Sequence, residues 1–181
     1  MLTFDFFAGI FAGSFVMYLW TKAAAIAKRQ RMKAFDISDP MNQLRFIETS
    51  SLNATKPINK EAFAVYRSIE DYISSNQRTY RLLAEVGMGA FIKTDFNAVP
   101  KAQDKRAFSS YNSKRVDFLV IDAYGKPILV IEYHGSGHYQ NNALARDEVK
   151  TAALRKAGIN LMTVNYGTPD NIIKQDLAQY F

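Results

Sequence analysis

The sequence predicts a mixed α/β domain with the element order α-β-β-β-α-β-α, preceded by one N-terminal transmembrane helix. Three observations lead there. An apolar run, Phe6 to Trp20, opens the chain. Two apolar segments, Val116 to Asp122 and Lys126 to Glu132, flank Tyr124-Gly125 in the manner of a hairpin. A helix-patterned stretch from Asn142 to Ala157 separates that pair from a further strand, Asn160 to Tyr166, so the connection is a crossover and the sheet is mixed.

Composition sets the bounds. A chain of 181 residues with 48% apolar and 13% aromatic side chains can fill a core and is not disordered. The absence of cysteine excludes disulfides and thiolate zinc sites, so a metal would be held by oxygen or imidazole. The net charge of +6 is unevenly spread: residues 1–33 carry Lys22, Lys28, Arg29, Arg31 and Lys33 against Asp5, leaving 34–181 nearly neutral. Such a distribution speaks for a membrane boundary more than for a DNA-binding face.

Taken in order, Phe6 to Ala27 gives about 20 residues with Lys22 snorkelling, near what a hydrocarbon core requires. Residues 1–27 are therefore expected to be a single-pass anchor. The basic cluster that follows places the N-terminus outside and the C-terminal domain in the cytoplasm by the positive-inside rule. A secretory signal is disfavoured because Asp5 precedes the apolar run and the basic residues follow it; a buried or interfacial helix is the other alternative. Gly9 and Gly13 form a GxxxG spacing suited to a helix-helix dimer. Residues 28–58 form a basic juxtamembrane segment and linker, and 59–181 the α/β domain.

Within that domain, Asn59 caps a helix from Lys60 to Ser74 with Phe63, Tyr66, Ile69 and Ile73 on one face. Glu61 lies in its first turn, where the helix dipole alone accounts for an acid. Thr79 to Val86 reads as a strand closed by Gly87-Met88-Gly89, and the segment onward to Ser113 as a long basic loop. Gly158 stops the helix that begins near Asn142, whose inward positions are Leu144, Val149, Ala153 and Leu154. A last helix starts at Thr168 with Pro169 in its first turn.

The chemistry concentrates in the hairpin. A two-residue turn pairs positions whose numbers sum to 249, which sets Asp117 opposite Glu132 and Arg115 opposite His134. Alternation then places Asp117, Leu119, Ile121, Ile128, Val130 and Glu132 on one face. Two opposed carboxylates in an apolar sheet are unfavourable unless a cation or a proton sits between them. Mg²⁺ or Mn²⁺ is the simplest remedy: one carboxylate from each strand and the Tyr133 carbonyl leave positions for water and phosphate. Phosphodiester hydrolysis fits, with His134 as base, water positioner or further ligand, and with Arg146 and Lys150 on one helical face to meet the phosphate. The alternative for each residue is structural: an Asp117 pair with Arg115, a Glu132 pair with Lys150, and His138 capping a loop. The register is the step on which the reading depends, since a longer turn slips the pairing.

The succession RVDF, IEYHGSGH and RDEVKTAALRKAGI resembles domain-of-unknown-function family 2726, a branch of the PD-(D/E)XK restriction-endonuclease-like superfamily. The resemblance covers about Asn59 to Tyr166. It implies a restriction-endonuclease-like αβββαβ core and divalent-metal-dependent hydrolysis of DNA. By position it makes Asp117 and Glu132 the metal ligands and places His134 where the motif lysine belongs. It nominates Lys150 as that lysine moved to the following helix, and Glu61 as an acid of the first helix, with Arg115, His138 and Arg146 in support. The expected protein is a membrane-anchored nuclease whose partners are DNA and the bilayer. Its rival is a catalytically inactive nuclease-fold module that holds DNA or protein at the membrane.

Overall fold

A computed structural model describes residues 4–76, 79–95, 101–136 and 143–181, the side chains of 4–10 and 143–146 excepted. It divides into two units, Met1–Thr55 and Lys56–Phe181.

The first unit is a pair of helices, α1 (Phe4–Ala34) and α2 (Pro40–Glu48). Asp39 caps α2 by accepting a hydrogen bond from the Met41 N–H at 3.0 Å, and Pro40 takes the first helical position, where no amide donor is missed. Asn42 donates to the Lys33 and Asp36 carbonyls at 2.8 and 3.0 Å, tying the start of α2 to the end of α1. Two expectations are corrected here. The segment after Ala34 is not all linker, because Asp39-Pro40 is a cap followed by a helix start. No helix among the described residues is long and apolar enough to cross a membrane. Although α1 has 31 residues, Lys22 interrupts its apolar run and Lys28, Arg29, Arg31 and Lys33 occupy the same continuous helix. The single-pass anchor, and the orientation derived from it, are withdrawn. A Cβ at Gly13 would meet open space, and the surroundings of Gly9 lie outside the described residues.

The second unit carries α3 (Lys60–Asn76), β1 (Arg81–Gly87), α4 (Met88–Phe91), α5 (Lys101–Tyr111), β2 (Arg115–Ile121), β3 (Pro127–His134), α6 (Ala143–Lys156), β4 (Asn160–Asn165) and α7 (Asp170–Leu177). The four strands form one mixed sheet in the order β1-β2-β3-β4, antiparallel at the first two junctions and parallel between β3 and β4. The expected α-β-β-β-α-β-α sequence is present, with α4 and α5 added between β1 and β2.

Period-two alternation divides the core into two layers. Phe118, Val120, Leu129 and Ile131 pack with Val65, Ile69 and Ile73 of α3 and with Ile173 and Leu177 of α7. Leu119 and Val130, on the other face, meet Met88, Ile92, Tyr111 and Leu154. Asn59 caps α3 as expected, its Oδ1 accepting from the Ala62 N–H at 2.8 Å. The helix turns Ala62, Val65, Ser68, Ile69 and Ile73 inward and leaves Phe63 half exposed, so its buried stripe is rotated from the expected one.

The expected basic loop is in part a helix. In α5, Asp104, Phe108 and Tyr111 recur at helical spacing and face inward, Asp104 and Tyr111 fully buried. At the end of α6, Gly158 adopts φ +69°, the Gly158 N–H reaches the Arg155 carbonyl at 3.2 Å and the Ile159 N–H reaches Leu154 at 3.0 Å. That pair of bonds is a Schellman stop, which needs the left-handed residue glycine supplies.

Candidate functional site

The hairpin register follows from its turn. Asp122 accepts from the Tyr124 and Lys126 N–H groups at 2.9 and 2.8 Å, and Gly125 takes φ +83°. The connection therefore spans Asp122 to Lys126, longer than the expected two residues. A register shift between Val120 and Ile121 absorbs the difference, so Phe118–Ile131, Leu119–Val130 and Val120–Leu129 pair as expected. Beside the shift, Ile128 packs with the α3/α7 layer instead of the Leu119 face.

One residue past Phe118–Ile131, the sheet is distorted around Asp117. On the β3 side, Asp117 Oδ2 accepts a hydrogen bond from the Tyr133 N–H at 2.7 Å. On the β1 side, Glu85 lies between the Ala84–Phe118 and Val86–Val116 pairs, facing the Asp117 position with φ +54°. Among the described non-glycine residues, only Glu85 has positive φ.

Glu132 follows on the Leu119/Val130 face with 8% of its surface exposed. Lys150 of α6 donates to Glu132 Oε2 at 2.6 Å and lies 3.7 Å from Asp147 Oδ1. The second oxygen, Glu132 Oε1, is buried without a hydrogen-bond partner. Burial pushes the Glu132 carboxyl up to about 7; the Lys150 ammonium opposes this, while the Asp117 and Asp147 charges add to it. Glu132, His134, Asp147, Lys150, Thr151 and Thr163 line a cavity of about 70 Å³ floored by Leu154 and Leu161.

Asp117, Glu132, His134 and Lys150 thus gather where β2, β3 and α6 meet. Arg115 is exposed at the start of β2, paired with Gly87 of β1. Glu61 belongs to the opposite side of the sheet, where it accepts from the Tyr133 hydroxyl at 3.3 Å and the Ser136 hydroxyl at 3.4 Å. A Cβ at Gly135 would come within 3.1 Å of Glu61 Oε2, so this close approach of chain and acid favours glycine. His138 and the Arg146 side chain lie outside the described residues. Thr151 was not anticipated, and Asp147 entered only as part of the RDEVK motif with no role of its own; Asp147 lies three residues before Lys150 and four before Thr151, on one turn of α6.

The donor set suits a hard cation in part. Two carboxylates converge, and one buried oxygen lacks a partner. Among the described residues no group of three or more His, Asp or Glu is arranged to hold a metal. A cation here would draw its remaining ligands from backbone carbonyls and water.

Fold and site define a mixed α/β domain with a carboxylate-lysine centre at the end of its central hairpin. The chain belongs to the family "Protein of unknown function (DUF2726)", whose pattern matches residues 56–179. It is 31% identical to an uncharacterized protein of Haemophilus influenzae over 94% of this chain and 92% of that protein. It is also 31% identical to the uncharacterized protein y4bI of Sinorhizobium fredii, over 68% of this chain and 85% of that one. No solved structure matches the chain.

Proposed function

We propose that residues 59–181 form a divalent-metal-dependent phosphodiesterase of the PD-(D/E)XK type acting on DNA. The observation that carries this reading is the reach of Lys150 to Glu132 at 2.6 Å while Glu132 Oε1 stays buried and unpartnered. A carboxylate with one oxygen on a lysine and the other open, next to a second carboxylate, is suited to bind Mg²⁺ or Mn²⁺ and present an ammonium beside it.

Asp117 and Glu132 would hold the metal, which when bound polarises the phosphoryl group and acidifies water. Lys150 offsets charge accumulating on the phosphoryl oxygens as water adds to phosphorus and the ester P–O bond breaks. His134, sharing the cavity with Lys150, accepts the proton of the attacking water. Asp147 steadies the ammonium from the helix side.

The test uses the purified full chain with plasmid and single-stranded DNA in Mg²⁺ or Mn²⁺. Cleavage should be abolished by EDTA and in Asp117→Asn, Glu132→Gln and Lys150→Ala, and should fall about a hundredfold in His134→Ala. The cation should also raise the melting temperature of the wild type but not of Asp117→Asn. Absence of both cleavage and cation-dependent stabilisation sinks the reading. One observation favours the rival, a nuclease-fold module without activity: Lys150 already supplies a cation to one oxygen of Glu132. That rival predicts DNA retention with no cleavage and no response to the cation.

A further inference from the structure

A regular strand serves the two faces of its sheet alternately. From Leu129 onward β3 does so: Leu129, Ile131 and Tyr133 pack with the α3/α7 layer and Val130 with the other. The strands β1 and β2 break the rule. Leu82 and Ala84 pack with the α3/α7 layer, yet Val86, two residues on, packs with the opposite layer. In β2, Phe118 and Val120 belong to the first layer and Val116 to the second. Ala84 pairs with Phe118 and Val86 with Val116. Both strands therefore change faces together, and the residues at the crossing are Glu85 and Asp117, each half-buried.

The backbone of Glu85 supplies the crossing. Its φ of +54° is the one positive value among the described non-glycine residues, and a left-handed residue inside a strand interrupts period-two alternation and bends the strand, as it does in a bulge. An L-residue enters that region at a cost and stays there only where its surroundings hold it. Here the fully buried Val116 and Phe118 fix the pairs on either side.

The consequence falls on Asp117. With unbroken alternation its side chain would stand on the Leu119 face, level with Glu132, and two like charges would meet head-on. At a crossing point a side chain lies along the sheet instead. Asp117 Oδ2 accordingly reaches sideways to β3 and accepts the Tyr133 N–H at 2.7 Å, in the place a strand carbonyl would take. A carboxylate held by a backbone donor in this way is oriented before any cation arrives.

We propose, resting on the cation site proposed above, that Glu85 is a positioning residue: its left-handed backbone turns β1 and β2 over together and sets the Asp117 carboxylate in the plane of the sheet against Tyr133. Glu85 acts through Asp117 and by its main chain, so its own carboxylate is dispensable.

The experiment is amide hydrogen exchange of the full chain by NMR, joined to a Mg²⁺ titration followed by melting temperature. The Tyr133 amide should be protected in wild type and in Glu85→Gly. Relative to the Val120 amide, which reports general opening, it should exchange at least about tenfold faster in Asp117→Ala and in Glu85→Val, since a β-branched residue resists positive φ. The Mg²⁺ concentration at half the melting shift should be unchanged in Glu85→Gly and at least about tenfold higher in Glu85→Val. Glu85→Thr carries the same expectations as the valine variant and replaces it should that variant not fold. Wild-type protection of Tyr133 in the β-branched variants overturns the proposal, as does loss of protection in Glu85→Gly, which would assign the effect to the side chain. Equal Mg²⁺ midpoints in wild type and the β-branched variants overturn it as well. With no Mg²⁺ response in wild type the cation site fails, and the Tyr133 amide by itself upholds or overturns the placement of Asp117 by Glu85.

Discussion

Glu132 is the residue at which stability and chemistry meet. Its carboxyl, raised to about 7 from an ordinary 4.5 mainly by burial, holds more protons in the folded protein than in the unfolded chain between those values. The group's contribution to stability is therefore fully present below pH 4.5 and is lost as pH rises through 7. The corresponding free energy is on the order of 3 kcal/mol at most, reduced by whatever water reaches the site. Urea unfolding from pH 4.5 to pH 8 should show this decline, and Glu132→Gln should flatten it. Mg²⁺ should flatten it as well, because a bound cation favours the ionised form. A pH slope identical in wild type and Glu132→Gln would contradict the assignment. The proximity of two acids was legible in the hairpin pattern, and so was the pairing of Glu132 with Lys150 as one of two alternatives. The depth of burial was not, because it depends on α6 closing over Glu132 from a distant part of the chain.

Among the elements, β1 is the unusual one. A strand residue with φ +54° is in the left-handed region that only glycine enters cheaply. Its place opposite Asp117 ties that distortion to the site, since β1 and β3 both depart from regular pairing around the same carboxylate. Glu85→Gly should be more stable than Glu85→Ala by about 1 kcal/mol, measured by denaturant titration, reversing the order expected at an ordinary strand position. An alanine variant at least as stable as the glycine variant would show that the left-handed backbone carries no strain. Nothing in the periodicity of RLLAEVG announces such a residue; the signal is tertiary. The helices missed by sequence reasoning have more local causes. Asp39-Pro40 reads equally as a turn or as a capped helix start, and α5 has too few apolar residues to declare a face until Asp104 counts among the buried ones. The long α1 was legible as a helix, but its apolar run was read as longer than its charges allow.

At the scale of the molecule, the family match at 56–179 and the compact unit Lys56–Phe181 agree on where one folding unit starts. A fragment of residues 56–181 should therefore melt in a single cooperative transition, within a few degrees of the corresponding transition in the full chain, and respond to Mg²⁺ in the same way. Broad melting of the fragment would show that residues 1–55 belong to its core. The order of elements and the mixed sheet were readable because alternation, glycine stops and the crossover constrain each other. The small cavity beside Glu132 was not, because a cavity is defined by what its walls lack.

The shift between Val120 and Ile121 has a consequence for how this fold tolerates change. It works as a slip joint, taking up extra chain from the projecting turn, where Tyr124 is 95% exposed, before the mismatch reaches the site. Length variation at Asp122 to Lys126 can accumulate on the outer side of that joint without moving Asp117 relative to Glu132. The same one-residue change placed between Val116 and Val120 would rotate Asp117 toward α3 and carry an apolar neighbour into its place. The hairpin thus has a permissive end and a forbidden end only a few residues apart, and descendants of this sequence are free to lengthen it in one direction alone.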